Sequence, residues 1–484
     1  MLSYICRDHQ VLARNRGLLS VPRTTSYFLR RLSANAQHES TKPEPPILWS
    51  TDFSKPDDDF WREVPVWKDV SKDDFMSWSW TTKNIIETPK KKRQKLFEFL
   101  YAVLPPEIPN SNGIGGSQSR DMFIMDVARG ITGSTMSVRA TPYILSRINW
   151  KDPANDPIFR QFIPRRSIML PDHPRLNLDS LDEVKDSRAE GAVVHRYPDK
   201  ALLLPISICP TNCTYCTRSW GIGTDTELVT KVSFKLTRPR LEAAFEYIES
   251  QEGLHDIVVS GGDAYYLEWN VIEWIGDRLI GMKNIERFRF ASKGLAVAPH
   301  RLLDKNDPWT ESLIRVSDKA RRAGKHMALH THFNHPDEIS WITELASRKL
   351  LESGVTVRNQ TVLLRGVNDN VDTMLTLINK LAKMAVQPYY IYQCDMVPKI
   401  EHLRTPLSTL LDIESQIQGT TAGFYLPKCV VDLPGGGGKR LVSLYESYDR
   451  QTGVSTFTQP AIKGRGRDNR VYEYHDPMVL NDSA

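Results

Sequence analysis

Leu202-Leu203-Leu204-Pro205-Ile206-Ser207-Ile208 runs straight into Cys209-Pro210-Thr211-Asn212-Cys213-Thr214-Tyr215-Cys216. A short apolar run ending at turn residues reads as a buried strand, and the loop after it carries three cysteines. A [4Fe–4S] cluster is normally held by four cysteine thiolates, so three from one loop would leave one iron open to a small molecule. A structural zinc site needs a closed shell of four Cys or His ligands, and the closest histidine, His195, lies on the far side of the strand. Three buried cysteines acting as small hydrophobes are the bland alternative. The Thr, Asn and Arg neighbours argue against it.

Downstream the same grammar repeats. Apolar or β-branched runs at Leu202–Ile208, Asp256–Ser260, Arg287–Ala291, His326–His330, Val355–Gln360 and Pro388–Tyr392 predict six strands. Between them, helical periodicity predicts helices at Arg238–Gln251, Trp269–Gly281, Trp309–Ala323, Asp337–Leu351 and Val371–Ala385. Alternating strands and helices imply a parallel sheet with right-handed crossovers, hence an α/β fold with a partial (β/α)6 barrel. In such a barrel the C-terminal strand ends form the active rim. The cysteine loop, Ser260-Gly261-Gly262-Asp263, Ser292-Lys293, His330-Thr331-His332, Gln360 and Cys394-Asp395 all fall there.

The chain's net charge of +5 is concentrated in residues 1–36, where six arginines face one aspartate. The remainder is close to neutral, which removes any charge argument for nucleic-acid binding. No run approaches the roughly 18 apolar residues of a membrane helix. The Arg-rich, acid-poor leader reads as a mitochondrial transit peptide, with the matrix as the expected compartment. With only six cysteines, three of them in one loop, a disulfide framework is not expected. A Pro-bearing linker follows over 37–60, then a Trp-rich, mainly helical region over 61–190. The basic run Lys90–Lys95 after Thr88-Pro89 reads as a solvated helix start, and Asn112–Gly116 as a loop.

Near the C-terminus stands Asp432-Leu433-Pro434-Gly435-Gly436-Gly437-Gly438-Lys439. Consecutive glycines let main chain approach a ligand closely, and a lysine there can form a Schiff base with a carbonyl cofactor. Arg440 after the lysine excludes a phosphate loop. Alone, such a glycine run followed by lysine is more often a flexible loop than a catalytic one.

Together, the cysteine loop and this segment resemble the lysine 2,3-aminomutase family of radical S-adenosylmethionine (SAM), pyridoxal 5′-phosphate (PLP) enzymes. The resemblance runs from about Phe75 to Ser443, anchored by His195–Lys200, Cys209–Arg218, Ser260–Asp263, His332–Pro336, Asn359-Gln360, Tyr389–Asp395, Glu401–Pro406 and Val431–Lys439. It implies a radical-SAM barrel core over 191–395 and a PLP- and substrate-binding segment over 396–458. A divergent tail covers 459–484. By the same resemblance, Cys209, Cys213 and Cys216 hold the [4Fe–4S] cluster and Lys439 bonds PLP. Arg196, Tyr197 and Lys200 hold the PLP ring and phosphate, while Gly261, Gly262, Asp263, His332 and Gln360 form the SAM site. Arg218 matches the arginine that clamps the substrate carboxylate, and Asp395 and Asp432 match the pair holding its distal ammonium. An arginine fork suits a carboxylate, and two carboxylates suit a remote ammonium.

The implied activity moves the 2-amino group of L-lysine to C3, giving L-β-lysine, with an electron donor serving the cluster. The alternatives are the same chemistry on another amino acid, or a catalytically inactive homologue that binds cluster or PLP. Lys200 and Lys293 stand where the family has arginines, and Ala264 stands where proline is common. Asn370 stands in place of a zinc-binding cysteine, and no cysteine follows Cys429. That zinc site is therefore not expected, Cys394 and Cys429 read as structural, and homo-oligomeric assembly stays open.

Overall fold

The computed structural model of the chain describes residues 58–89, 93–111, 115–462 and 469–478. The leader over 1–36, nearly all of the 37–60 linker, Lys90–Lys92 and Asn112–Ile114 lie outside the described residues. The described helix spans Gln94–Val103 and so takes in the last two residues of the basic run.

Strands and helices alternate as the sequence predicts: β1 (Lys200–Ile206), α1 (Arg238–Glu249), β2 (Asp256–Gly261), α2 (Trp269–Gly281), β3 (Arg287–Ala291), α3 (Trp309–Arg322), β4 (His326–Thr331), α4 (Trp341–Glu352), β5 (Thr356–Val362), α5 (Val371–Lys383) and β6 (Gln387–Tyr392). The curled sheet then continues beyond the six expected strands. After α6 (Leu407–Ile417), β7 (Lys428–Leu433) pairs parallel to β6, and β8 (Gly438–Leu441) pairs antiparallel to β7. Two short antiparallel strands, Val193–Val194 and Ser187–Arg188, extend the other edge beside β1, completing ten strands. The glycine–lysine segment is thus part of the sheet and not an appended loop.

Alternation sorts the strands' side chains. Ile257 and Val259 of β2, Phe288 and Phe290 of β3, and Leu329 of β4 turn outward into the helix-packed core. Asp256, Val258 and Ser260, with Arg287, Arg289 and Ala291, line an inner cavity instead. The helices close over the outward face. In α3, Trp309, Leu313, Val316 and Ala320 recur at helical spacing and are buried, the pattern of an amphipathic helix on a sheet. Asn370 serves as the N-cap of α5, its side-chain oxygen accepting from Thr373 N at 2.9 Å.

The N-terminal region docks by buried polar contacts. Tyr143 OH lies 2.8 Å from Ser340 Oγ and 2.7 Å from Thr343 Oγ1 at the start of α4. Thr81 Oγ1 lies 2.7 Å from His300 Nε2. A three-stranded antiparallel sheet joins Ser447–Asp449 and Val454–Thr458, from the end of the 396–458 segment, to Val471–His475 of the tail. Its buried Tyr474 OH donates to Cys394 O at 2.9 Å and accepts from Gln393 Nε2 at 3.0 Å. No described helix is long and apolar enough to cross a membrane.

Candidate active site

The cysteine loop is pinned by the region preceding the barrel. Asn212 N donates to Arg139 O at 2.8 Å, Asn212 Nδ2 to Ser137 O at 2.9 Å, and Thr214 N to Gln161 O at 2.9 Å. So held, Cys209, Cys213 and Cys216 are free thiols, half-buried on a cavity of about 250 Å³. Burial pushes all three thiols up, Cys216 to about 11, so metal binding here would have to displace the thiol protons and release them. Gly261, Gly262, Asp263, His332 and Gln360 line the same cavity. Gly261 has φ +85°, and a Cβ on Gly262 would come within 2.4 Å of Ile208 O. Only glycine lets β2's end press this closely on the chain entering the cysteine loop. Asp263 accepts from Tyr265 N at 2.8 Å and Lys293 N at 2.7 Å, with burial pushing its carboxyl up to about 6. His332 donates from Nδ1 to Gln360 O at 2.6 Å and accepts at Nε2 from Tyr215 OH at 3.0 Å. That fixes a neutral ring whose pKa burial holds well below the ordinary value.

A second cavity, of about 480 Å³, lies alongside and shares Thr217, Arg218, His332, Gln360 and Asp395 with the first. Both sizes suit small-molecule ligands. Here the four glycines make the β7–β8 hairpin turn, with Gly435, Gly436 and Gly438 at φ +69°, +79° and +80°. The turn sets Lys439 directly across from Asp432, and Lys439 Nζ lies 2.9 Å from Asp432 Oδ2. Tyr197 OH accepts from Lys439 N at 2.7 Å. Arg196 Nη2 also reaches Asp432, at 3.0 Å. Burial would push Asp432 up and Lys439 down. Their mutual attraction, joined by Arg196 on the Asp432 side, reverses both, so Asp432 is held below and Lys439 above the ordinary value. Lys200, Arg287 and Arg289 line this cavity too.

Between the two cavities stand Arg218 and Asp395. Arg218 is engaged by a residue the sequence reading missed: Nε and Nη2 each donate to the Glu183 carboxylate at 2.7 Å. Glu183 sits 35 residues away among other acids, and no local pattern singles it out. Asp395 accepts from the Thr217 hydroxyl through Oδ2, while its Oδ1 is buried without a partner. Burial, then nearby Asp432, pushes its carboxyl up to about 7. Tyr389, Tyr390 and Tyr392 of β6 complete the wall.

All fifteen residues expected from the sequence therefore line these two adjoining cavities. Their donor sets fit the implied groups. Three thiols with no fourth ligand suit a cubane with an open iron. A lysine beside a tyrosine hydroxyl, with arginines and a lysine along one wall, suits PLP. Among the described residues no three His, Cys, Asp or Glu side chains gather closely enough to hold a single metal ion. A cubane spreads its thiolates over separate irons, so that finding bears on mononuclear sites.

No protein-family model matches the chain. It is 34% identical over 409 residues to an L-lysine 2,3-aminomutase of Clostridium subterminale, covering 82% of this chain and 88% of that one. It is 36% identical over 371 residues to an L-lysine 2,3-aminomutase of Acetoanaerobium sticklandii, covering 76% and 79%. A glutamate 2,3-aminomutase of Clostridioides difficile is 32% identical over 299 residues, covering 62% and 66%.

Proposed function

The chain belongs to the lysine 2,3-aminomutase family and is an isomerase of that kind, and on that footing we propose that it converts L-lysine to L-β-lysine using a [4Fe–4S] cluster, SAM and PLP. When bound, the cluster with SAM supplies a hydrogen-abstracting radical, and PLP supplies the conjugated system over which nitrogen moves. Cys209, Cys213 and Cys216 would hold the cluster, with Gly261, Gly262, Asp263, His332 and Gln360 around SAM. Lys439 would hold PLP, with Tyr197 against the lysine backbone and Arg196 and Lys200 toward the phosphate.

The observation that carries the lysine reading is the state of the two aspartates. Asp432 is matched by Arg196 and Lys439, whereas Asp395 Oδ1 has no partner and its carboxyl is pushed up to about 7. Even with Lys439 and Arg196 on Asp432, Asp395 has no cation bonded to it. The aspartate pair then calls for one further cation, which the ε-ammonium of lysine supplies. A substrate with a distal carboxylate would place a third negative charge there. At the other end, Arg218 keeps Nη1 free of Glu183 for the α-carboxylate. Because the hydroxyl of Thr217, next to Arg218 in sequence, is bonded to Asp395, the two ends are held in one frame.

The test is anaerobic reconstitution with iron, sulfide, PLP and SAM, followed by reductant and labelled L-lysine. β-Lysine should form. A loaded cluster and bound PLP without product would favour an inactive homologue, and turnover of another amino acid alone would overturn the substrate. Separately, the Arg-rich, acid-poor residues 1–36 support the proposal that the enzyme works in the mitochondrial matrix, which fusing residues 1–36 to a fluorescent reporter checks.

A further inference from the structure

Resting on the cluster assignment above, we propose that Lys231 is a positioning residue for the iron–sulfur cluster, its ammonium setting how readily the cluster accepts an electron. Lys231 lies in the stretch that wraps the cysteine loop, where Val232 N donates to Trp220 O at 3.0 Å and Phe234 N to Ser207 Oγ at 2.7 Å. Its Nζ donates to Ser219 O and, at 2.6 Å, to Thr135 O, and lies 3.8 Å from Met136 Sδ. Ser219 N in turn donates to Cys216 O at 3.1 Å. Met136, Trp220 and Phe234 belong to the apolar cluster against which Cys209 and Cys216 pack. The ammonium is thereby fixed in the wall behind Cys216.

What marks it out is the missing counter-charge. Four cations act electrostatically on the three thiols: Arg139 on Cys209, Lys293 on Cys213, and Arg218 with Lys231 on Cys216. Arg139 pairs with Glu87, Lys293 with Glu338 at 3.5 Å, and Arg218 with Glu183 at 2.7 Å. Lys231 alone of the four has no ion pair among the described residues: its Nζ has only carbonyl and thioether partners, while its backbone N donates to Asp225 at 2.8 Å. A largely buried ammonium without an anion is costly, and here burial pulls Lys231 down to about 8 against the pull of Cys216 and Asp225. A thiolate-ligated cluster is the anion that relieves this. It gains one further negative charge when an external one-electron donor reduces it, so a fixed cation favours the reduced form. Charge and hydrogen bonding around the ligands are the protein's levers on such a potential.

The experiment is a dithionite titration, followed by electron paramagnetic resonance, of the reconstituted full chain and of Lys231→Gln and Lys231→Arg. Wild type and Lys231→Arg should share one midpoint. Lys231→Gln, with iron content unchanged, should show about a tenfold smaller equilibrium constant for one-electron reduction, a shift of ~59 mV to more negative potential. Iron lost from Lys231→Gln but kept, at the wild-type midpoint, in Lys231→Arg would also support the charge. An unchanged midpoint in Lys231→Gln, or iron lost from both variants, overturns the proposal. Wild type that takes up no iron at all overturns the functional reading itself, a distinct result read from the same samples.

Discussion

Replacing Asp395 with asparagine should stabilise the cofactor-free protein and cripple the enzyme. Asp395 has one carboxylate oxygen bonded to Thr217 and the other buried without a partner, and its pKa is pushed from 3.8 up to about 7. Between those values the folded chain keeps a proton that the unfolded chain has lost, so stability falls as pH rises through the window. The slope cannot exceed about 1.4 kcal/mol per pH unit, giving a ceiling of ~4 kcal/mol that water in the cavity lowers. At about 2.1 cal/mol/K per residue, a folded body of roughly 420 residues loses ~0.9 kcal/mol per degree, so the ceiling is ~4 °C in Tm. Asp395→Asn cannot ionise. Its melting temperature should match wild type at pH 4, rise above it through pH 7, and keep a constant lead beyond.

With lysine bound the sign reverses. Removing one partner of a buried charged pair costs about 2–5 kcal/mol, which is ~30-fold to a few thousand-fold in kcat/KM. Differential scanning calorimetry of the apo protein from pH 4 to 8 and steady-state β-lysine assays read the two halves. Equal stabilisation at pH 4 and pH 8, or a kcat/KM within about threefold of wild type, would refute the argument.

Three further outcomes follow from the same geometry. Lys439→Ala should lose the cofactor mass that borohydride otherwise fixes on the chain while keeping its iron content; retention of that mass by the variant would remove Lys439 as the attachment point. Gly262→Ala places a Cβ 2.4 Å from Ile208 O and 2.7 Å from Ile208 N, backbone atoms of the chain entering the cysteine loop, and should cost at least ~2 kcal/mol, lowering the iron retained per chain; wild-type iron content would contradict it. Glu183→Gln removes a charge-assisted bidentate contact worth about 2 kcal/mol. KM for lysine should rise by up to about 30-fold with kcat within about threefold, and an unaltered KM would show that Glu183 does not orient Arg218.

The barrel was legible because its signals are local. Strand and helix positions from Asp256 to Tyr392 follow from periodicity, and Cys209, Cys213 and Cys216 share one loop by spacing alone. The seventh parallel strand escaped because Lys428–Leu433 is followed by a glycine run that, read locally, is as good a flexible loop as a hairpin turn. Only pairing with Tyr390–Tyr392 and with β8 makes it sheet. The three strands from Ser447 to His475 escaped for a related reason, since they pair with one another and meet the barrel through side chains such as Tyr474.

What the sequence by itself determined is which reactive groups exist and which arrive together: three thiols in eight residues, a lysine after four glycines, and a rim of polar residues at strand ends. Covalent spacing guarantees those. What only the tertiary structure decided is who pairs with whom. Arg196 meets Asp432 across 236 positions, Glu183 meets Arg218 across 35, and Asp395 is left with an unpartnered oxygen. Sheet register and close packing set those encounters, and a charge's partner, more than its identity, decides whether it is spent on the fold or kept for a ligand.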